Sequence, residues 1–343
     1  MFSVFGQNPT AEFQRRFTGL ANYRGGRFEN LGGVRFSPRE APMGQMLRDF
    51  LRRPRTVTPS RPVPTVATSL HQPATAAPTI IWFGHSSYLI QARGLNILVD
   101  PVLSGAASPV PFAVRAYPGA DAYQVTHLPP IDVLVLTHDH YDHLDYATVR
   151  ALQPRVRHVV TSLGVGSHLR AWGYAPEQLT ELNWHETATP VPGVQLTATP
   201  AQHMSGRSLK PQRTLWASFV LQLDAYRLFL GGDSGYGPHF RAIGEQYGPF
   251  DVALLENGQY NLSWHAIHCL PEETVLAARE LGARLLLPVH WAKFTLAYHP
   301  WNEPVQRVLA AADAAGLPVT VPRIGEPYTL GAAPLREAWW AFD

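Results

Sequence analysis

Between residues 79 and 315 the chain alternates short apolar runs with stretches of helical spacing. Residues 79–83, 87–91 and 96–100 are rich in aliphatic and aromatic side chains. Gly84-His85 and Gly94 part them, which predicts three strands with tight connections. Residues 131–136 put five apolar side chains into six positions, the pattern of a buried strand. A helix is predicted at 145–152, a strand at 156–161 and a second helix at 166–172. The layout then repeats. A strand is expected at 194–199, and a hairpin of 217–223 with 226–231 turns near Asp224-Ala225. A buried strand follows at 252–255. Pro271-Glu272-Glu273 opens a helix over 271–281, and a strand over 284–289 comes next. The last helix, 303–315, stops at Gly316. Strands then helices, twice over, predict an α/β chain with two sheets face to face and helices outside.

The pattern fails before residue 79. Residues 1–40 are rich in Gly, Arg and Phe without periodicity and predict an irregular arm packed by its aromatics. Residues 42–55 carry Met46, Leu47, Phe50 and Leu51 on one face, which predicts a short helix ending before Pro54. Residues 55–78 are dense in Pro, Thr and Ser and predict an extended linker. The expected division is an arm and linker over 1–78 and one domain over 79–343. Within that domain, residues 103–130 form a Pro- and Ala-rich excursion, expected to be a lid or substrate wall.

Charge changes the picture only at the N-terminus. Residues 1–62 hold eleven arginines against Glu12, Glu29, Glu40 and Asp49, a balance of +7. The remainder then carries −5 of the net +2. Such an arm suits peripheral contact with an anionic membrane surface, or with the acidic domain to which it belongs. No zinc-finger spacing, RNP-like motif or basic helix accompanies it, so nucleic acid is not an expected partner. The single cysteine, Cys269, excludes an intramolecular disulfide framework and a cysteine-rich zinc module. No apolar run approaches the roughly 20 residues that span a bilayer. Residues 1–20 lack the apolar core of a secretory signal, and a cytoplasmic location is expected.

The candidate chemistry sits where strands end. Straight after strand 131–136, residues 138–143 read His138-Asp139-His140-Tyr141-Asp142-His143. Neutral imidazole and carboxylate are the usual ligands of zinc and similar divalent metals. His138 and His140, two apart, share one side of an extended segment, and Asp139 between them faces away. Asp142 and His143 follow at a turn and are placed for a second position, which makes room for two metal ions side by side. The alternative is a polar loop in which Asp142 or Asp145 caps the next helix, but such loops rarely gather three histidines. His203, Asp233 and His290 also follow predicted strands. Taken singly, the two histidines read equally as structural, and Asp233 as an Asx turn.

The string His138-Asp139-His140-Tyr141-Asp142-His143 resembles the HxHxDH signature of the metallo-β-lactamase superfamily. That resemblance implies an αββα four-layer sandwich, here with an irregular N-terminal arm. It also implies two divalent metal ions, zinc first and iron or manganese as further candidates. Pro-Ala-Gln-His203, Gly-Gly-Asp233-Ser-Gly-Tyr and Pro-Val-His290-Trp match the family's other local patterns. By that match one ion is held by His138, His140 and His203, the other by Asp142, His143 and His290, and Asp233 bridges them. The activity implied is hydrolysis by a metal-bound hydroxide that Asp142 helps to orient.

Trp82-Phe83-Gly84-His85-Ser86-Ser87 and His268-Cys269-Leu270-Pro271-Glu272-Glu273 are similar to blocks of the N-acyl-phosphatidylethanolamine phospholipase D-like branch. RomA-like proteins and ascorbate-phosphate lactonases also resemble the chain. In the phospholipase branch the residue at His268 lies by the substrate phosphate, which implies a catalytic role for His268 on a phosphodiester, with a phospholipid among the candidate substrates. His85 is expected near the site and His265 has no assigned place. At Glu256-Asn257-Gly258 the chain departs from that branch, placing an acid where the branch has an apolar-glycine pattern. A lactonase or amidase of the same fold is the alternative activity. A diiron redox protein is disfavoured by His140, where that branch carries a carboxylate.

Overall fold

The computed structural model describes residues 2–34, 48, 52–71, 75–110, 112–207 and 210–342. The helix expected at 42–55 falls mostly outside them. Near the N-terminus a short helix, α1 (Ala11–Arg15), is capped by the Thr10 hydroxyl. A small hairpin follows, β1 (Tyr23–Arg24) with β2 (Arg27–Phe28). The first large sheet contains β3 (Thr79–Trp82), β4 (Tyr88–Ala92), β5 (Leu95–Val99), β6 (Ile131–Leu136), β7 (Val156–Ser162) and β8 (Leu179–Leu182). The second contains β9 (Thr187–Val191), β10 (Val194–Thr199), β11 (Ser218–Leu223), β12 (Tyr226–Leu230), β13 (Val252–Glu256) and β14 (Leu286–Val289). A final strand, β15 (Pro327–Thr329), returns to pair antiparallel with β3.

Each sheet begins antiparallel and ends parallel. The pairs β3–β4 and β4–β5 are antiparallel, whereas β5–β6, β6–β7 and β7–β8 are parallel. In the second sheet β9 to β12 are antiparallel, and β12–β13 and β13–β14 are parallel. A hairpin joins antiparallel neighbours, but parallel neighbours need a crossover. That requirement accounts for residues 103–130, which carry the chain from β5 to its parallel neighbour β6. Tyr117, Ala120 and Tyr123 of this segment are buried, and the Tyr117 hydroxyl lies 2.9 Å from the carbonyl of Phe294. Helices make the other crossovers. They are α2 (Tyr146–Leu152), α3 (Gly166–Ala171), α4 (His239–Tyr247) and α5 (Pro271–Glu280), and a last helix, α6 (Glu303–Ala315), packs on α5. Asp145 caps α2, and the Glu273 carboxylate accepts from the Leu270 N–H at the start of α5.

One apolar core joins the two sheets. Leu134 and Val159 of the first and Leu196, Leu221 and Leu254 of the second are fully buried in it, each worth about 1.5–3 kcal/mol. Phe17 and Phe28 of the N-terminal segment belong to the same core, through a cluster with Phe13 and Tyr23 whose neighbouring rings lie 4.9–5.6 Å apart. No helix among the described residues is long and apolar enough to cross a membrane.

The hydrophobic pattern did not reveal β8, β9, α4 or β15. In β9 the obstacle is Pro190, which is tolerated because β9 is the edge of its sheet and the missing N–H breaks no ladder. In α4 it is Gly244. A Cβ there would sit 2.0 Å from the Glu280 carbonyl, so only glycine lets α4 approach the end of α5.

His239 opens α4, buried, with its Nε2 3.0 Å from the Ser234 hydroxyl, and burial lowers its pKa to about 4. Below pH 6.5 the unfolded chain therefore takes up a proton that the folded one refuses, and stability falls with pH. Going from pH 7 to 5 should cost the wild type about 2 kcal/mol more than it costs His239→Gln. Urea midpoints at the two pH values measure this, and equal losses in both proteins would refute it.

Candidate metal centre

The carboxyl ends of strands from both sheets supply the site. Strand β6 runs into Thr137-His138, β10 into Gln202-His203, β12 into Gly232-Asp233 and β14 into His290, while β13 ends on Glu256 itself. Gly232 turns with φ 60°, and a Cβ on it would lie 2.9 Å from Thr137. Asp233 can reach its place only behind a glycine.

Two groups of side chains converge there. His138, His140, His203 and Asp233 bring donor atoms within 4.8 Å of one another, and His85, Asp142, His143 and His290 do the same. All seven residues singled out from the sequence are present in these groups, and His85 joins them. Asp233 faces both. Its Oδ2 is 3.9 Å from His138 Nε2, 3.8 Å from His203 Nε2 and 3.1 Å from His290 Nε2, and its Oδ1 is 3.1 Å from His143 Nε2.

The surrounding hydrogen bonds decide which imidazole nitrogens are free. The Thr137 hydroxyl gives its proton to Asp100 Oδ2 at 2.6 Å, so it accepts from His138 Nδ1 at 3.0 Å. His143 Nδ1 donates to the same Asp100 oxygen at 2.8 Å, His203 Nδ1 to the Ile267 carbonyl at 3.0 Å, and His290 Nδ1 to the Gly258 carbonyl at 3.3 Å. Each outer nitrogen is thus tied, and each Nε2 turns inward. His140 Nδ1 lies 3.0 Å from His138 Nε2 and 3.1 Å from His203 Nε2. His143 Nε2, His290 Nε2 and Asp233 Oδ1 are buried without any hydrogen bond, although His143 Nε2 and Asp233 Oδ1 stand 3.1 Å apart. Atoms packed this closely share a cation, a proton on His143 and His290 or a divalent metal in its place, and imidazole with carboxylate is the donor set that divalent metals take.

Protonation agrees. Burial lowers the pKa of His138, His140 and His203, keeping them neutral, which is the ligating state. Burial alone would raise Asp142 and Asp233, but the imidazoles beside them, His143 foremost, hold both well below the usual carboxylate range. Burial likewise disfavours charge on His143 and His290, yet Asp233 and Asp142 outweigh it, raising His143 well above its ordinary value and His290 to about 10.

The backbone is strained where it turns into the site. His85, Asp100 and His290 have φ of 52°, 40° and 68°, in the left-handed region that non-glycine residues rarely occupy. Two of them brace each other, since the His290 N–H donates to the His85 carbonyl at 2.8 Å and the His85 N–H donates to the Trp291 carbonyl at 2.9 Å. His85 Nε2 also stands 2.9 Å from Asp142 Oδ2.

Other sequence candidates separate clearly. Asp139 faces away from the clusters, accepting from the Gly206 N–H and the Thr214 hydroxyl at 2.9 Å, with His168 Nε2 at 3.2 Å. His265 pairs with Glu273 at 2.8 Å, outside both clusters. His268 is drawn in: its ring is 5.1 Å from His203 and 5.4 Å from His290, and its Nδ1 lies 2.6 Å from Glu256 Oε2.

Sequence reasoning missed two partners. Glu256, noted only as a departure from a pattern, is fully buried and anchored by the backbone N–H groups of Ser234 at 3.2 Å and Cys269 at 2.9 Å. Asp100, noted only as the end of a strand, fixes Thr137 and His143 together. A buried acid at a strand end was the available signal for both.

Residues 95–291 match the model of the β-lactamase superfamily domain. The chain is 39% identical over 327 residues to an uncharacterised protein of Mycobacterium tuberculosis, covering 93% of this chain and 87% of that one. It is 31% identical over 247 residues to the N-acyl-phosphatidylethanolamine-hydrolysing phospholipase D 1 of Caenorhabditis elegans, covering 68% of this chain and 69% of that one. The solved structure of Igni18, a metallo hydrolase of Ignicoccus hospitalis, aligns with a TM-score of 0.58 over 75% of this chain and 99% of its own, at 22% identity, which bears on the fold alone. The domain match, the phospholipase relative and the two-sheet architecture agree, and the chain belongs to the metallo-β-lactamase superfamily of metal-dependent hydrolases.

Proposed function

We propose that this protein is a dinuclear metal-dependent hydrolase acting on a phosphodiester. The observation that carries the reading is the placement of Asp233 within 3.9 Å of four imidazole nitrogens drawn from both clusters. A shared carboxylate offsets the repulsion of two adjacent divalent ions. In this reading His138, His140 and His203 hold one ion, Asp142, His143 and His290 hold the other, and Asp233 spans them. Zinc suits the donor set, as do iron and manganese. When bound, the two ions supply Lewis acidity and a water of lowered pKa.

The chain's own residues supply orientation. Asp100 locks His143 and, through Thr137, His138. His85 Nε2 lies 2.9 Å from Asp142 Oδ2 and steadies that carboxylate, which would orient a water supplied by the bound metal. His268, steadied by Glu256, stands where it can donate to an oxygen of a bound phosphoryl group. The phospholipase relative favours a phosphodiester, and a phospholipid-derived diester is the natural candidate. Arg15, Arg16, Arg24 and Arg27 are exposed on the N-terminal segment, and their positive charge would suit anionic lipid. Glu256, which breaks the phospholipase branch's pattern, keeps a lactone in view as the second substrate class.

Purified protein should carry about two equivalents of zinc, iron or manganese and hydrolyse bis(p-nitrophenyl) phosphate. Chelation should abolish that activity and re-addition of metal restore it. The same protein should sediment with vesicles of anionic lipid and not with neutral ones. Folded protein that takes up no metal would end the reading. Brisk lactone hydrolysis without diesterase activity would replace the substrate class.

A further inference from the structure

We infer that Asn30, in the N-terminal segment, is a positioning residue of the metal centre, an inference that rests on His203 being a ligand. His203 lies in the connection between β10 and β11, residues 200–217, where no strand or helix among the described residues holds the backbone. Asn30 supplies what a neighbouring strand would. Its Oδ1 accepts from the His203 N–H at 3.0 Å and its Nδ2 donates to the His203 carbonyl at 2.9 Å. One buried amide thus grips both backbone groups of one residue, using the separate acceptor oxygen and donor nitrogen that an amide side chain carries. Oδ1 also accepts from Trp216 Nε1 at 2.9 Å, and Nδ2 lies 3.2 Å from the Val34 carbonyl.

The grip is part of a larger docking. Phe28 N–H donates to the Gln212 carbonyl at 3.0 Å, Arg213 donates to the Gly26 carbonyl at 2.9 Å, and Asn22 donates to Asn183 at 2.8 Å. The hairpin is therefore fixed to the very loop that presents His203. The His203 ring is held separately, by Nδ1 on the Ile267 carbonyl. Backbone and ring restraints together set the direction of Nε2. Groups that orient a ligand in this way typically govern metal affinity by 10–100-fold.

The test is a cobalt(II) titration of the full chain, read by its visible absorption. Asn30→Asp keeps both acceptor contacts but sets a carboxylate oxygen against the His203 carbonyl, and Asn30→Ala removes the grip. Phe28→Leu serves as the comparison, since it loosens the hairpin's packing while leaving all four Asn30 contacts. Both Asn30 variants should bind one of the two cobalt equivalents about tenfold more weakly, with shifted visible bands. Phe28→Leu should lower the melting temperature and leave the titration unchanged. Wild-type titrations for both Asn30 variants would overturn the inference. So would a Phe28→Leu protein weakened as much as they are, because the segment would then act only through stability. If Asn30→Ala does not fold, Asn30→Asp decides alone. A wild-type protein that binds no cobalt would instead overturn the dinuclear reading beneath it.

Discussion

Asp233→Asn should leave the protein folded while removing most of its metal and at least a thousandfold of its diesterase rate. The side chain keeps its shape and the turn at Gly232 is untouched, so the packing around it survives. What disappears is the negative charge between four imidazole nitrogens. Without it, two divalent ions in adjacent positions would repel with no shared anion between them, Asp142 serving only one of them. The Lewis-acid contribution that depends on both is worth several kcal/mol, and roughly 4 kcal/mol corresponds to a factor of about a thousand. Metal analysis and initial rates on the same preparation make the measurement. A variant that retains both ions and most of its rate would show that Asp233 does not bridge.

His268→Ala should lower kcat about a hundredfold while metal content stays unchanged. Its partner should echo the effect more weakly: Glu256→Gln keeps a side chain of the same size but trades the anion that anchors His268 for a neutral amide, and a loss of about tenfold is expected. Glu256 holds His268 although its pKa is raised on balance. Burial pushes its pKa up, His268 beside it pulls the other way, and two backbone N–H groups pin its Oε1. The informative comparison is between kcat and metal equivalents. Asp233, Glu256, His268 and His290 also bring donor atoms within 4.8 Å of one another. If His268→Ala lost metal in step with rate, His268 would be a ligand, and the assignment of a separate phosphate-facing group would fall.

Much of this arrangement was legible in the sequence, for a local reason. The strand over 131–136 and the seven residues after it are one continuous segment, so apolar run and ligand spacing could be read together. His203, Asp233 and His290 each follow a strand of clear pattern. Partners separated in sequence could not be read in the same way. Asp100 meets His143 across 43 positions and Asn30 meets His203 across 173, and no periodicity encodes such a contact. Glu256 shows the limit best: as a letter it broke a family pattern, and as a side chain it holds His268. The N-terminal aromatics were expected to pack, and Phe17 and Phe28 do. That the same segment ends on the backbone of His203 depended on where the hairpin docks.

The contact between Asn30 and His203 also bears on the order in which the molecule assembles. Residue 30 is synthesised before its partners His203 and Trp216, which follow 173 and 186 residues later. Closing a loop costs chain entropy before the contact repays it, so a contact of such high sequence separation is slow to form. The N-terminal segment, whose Phe17 and Phe28 are buried in the folded core, has no surface to cover until those later residues are made. The His203 side of the proposed metal centre would therefore be completed only once this segment has docked, and metal supplied during refolding would meet an incomplete site until then.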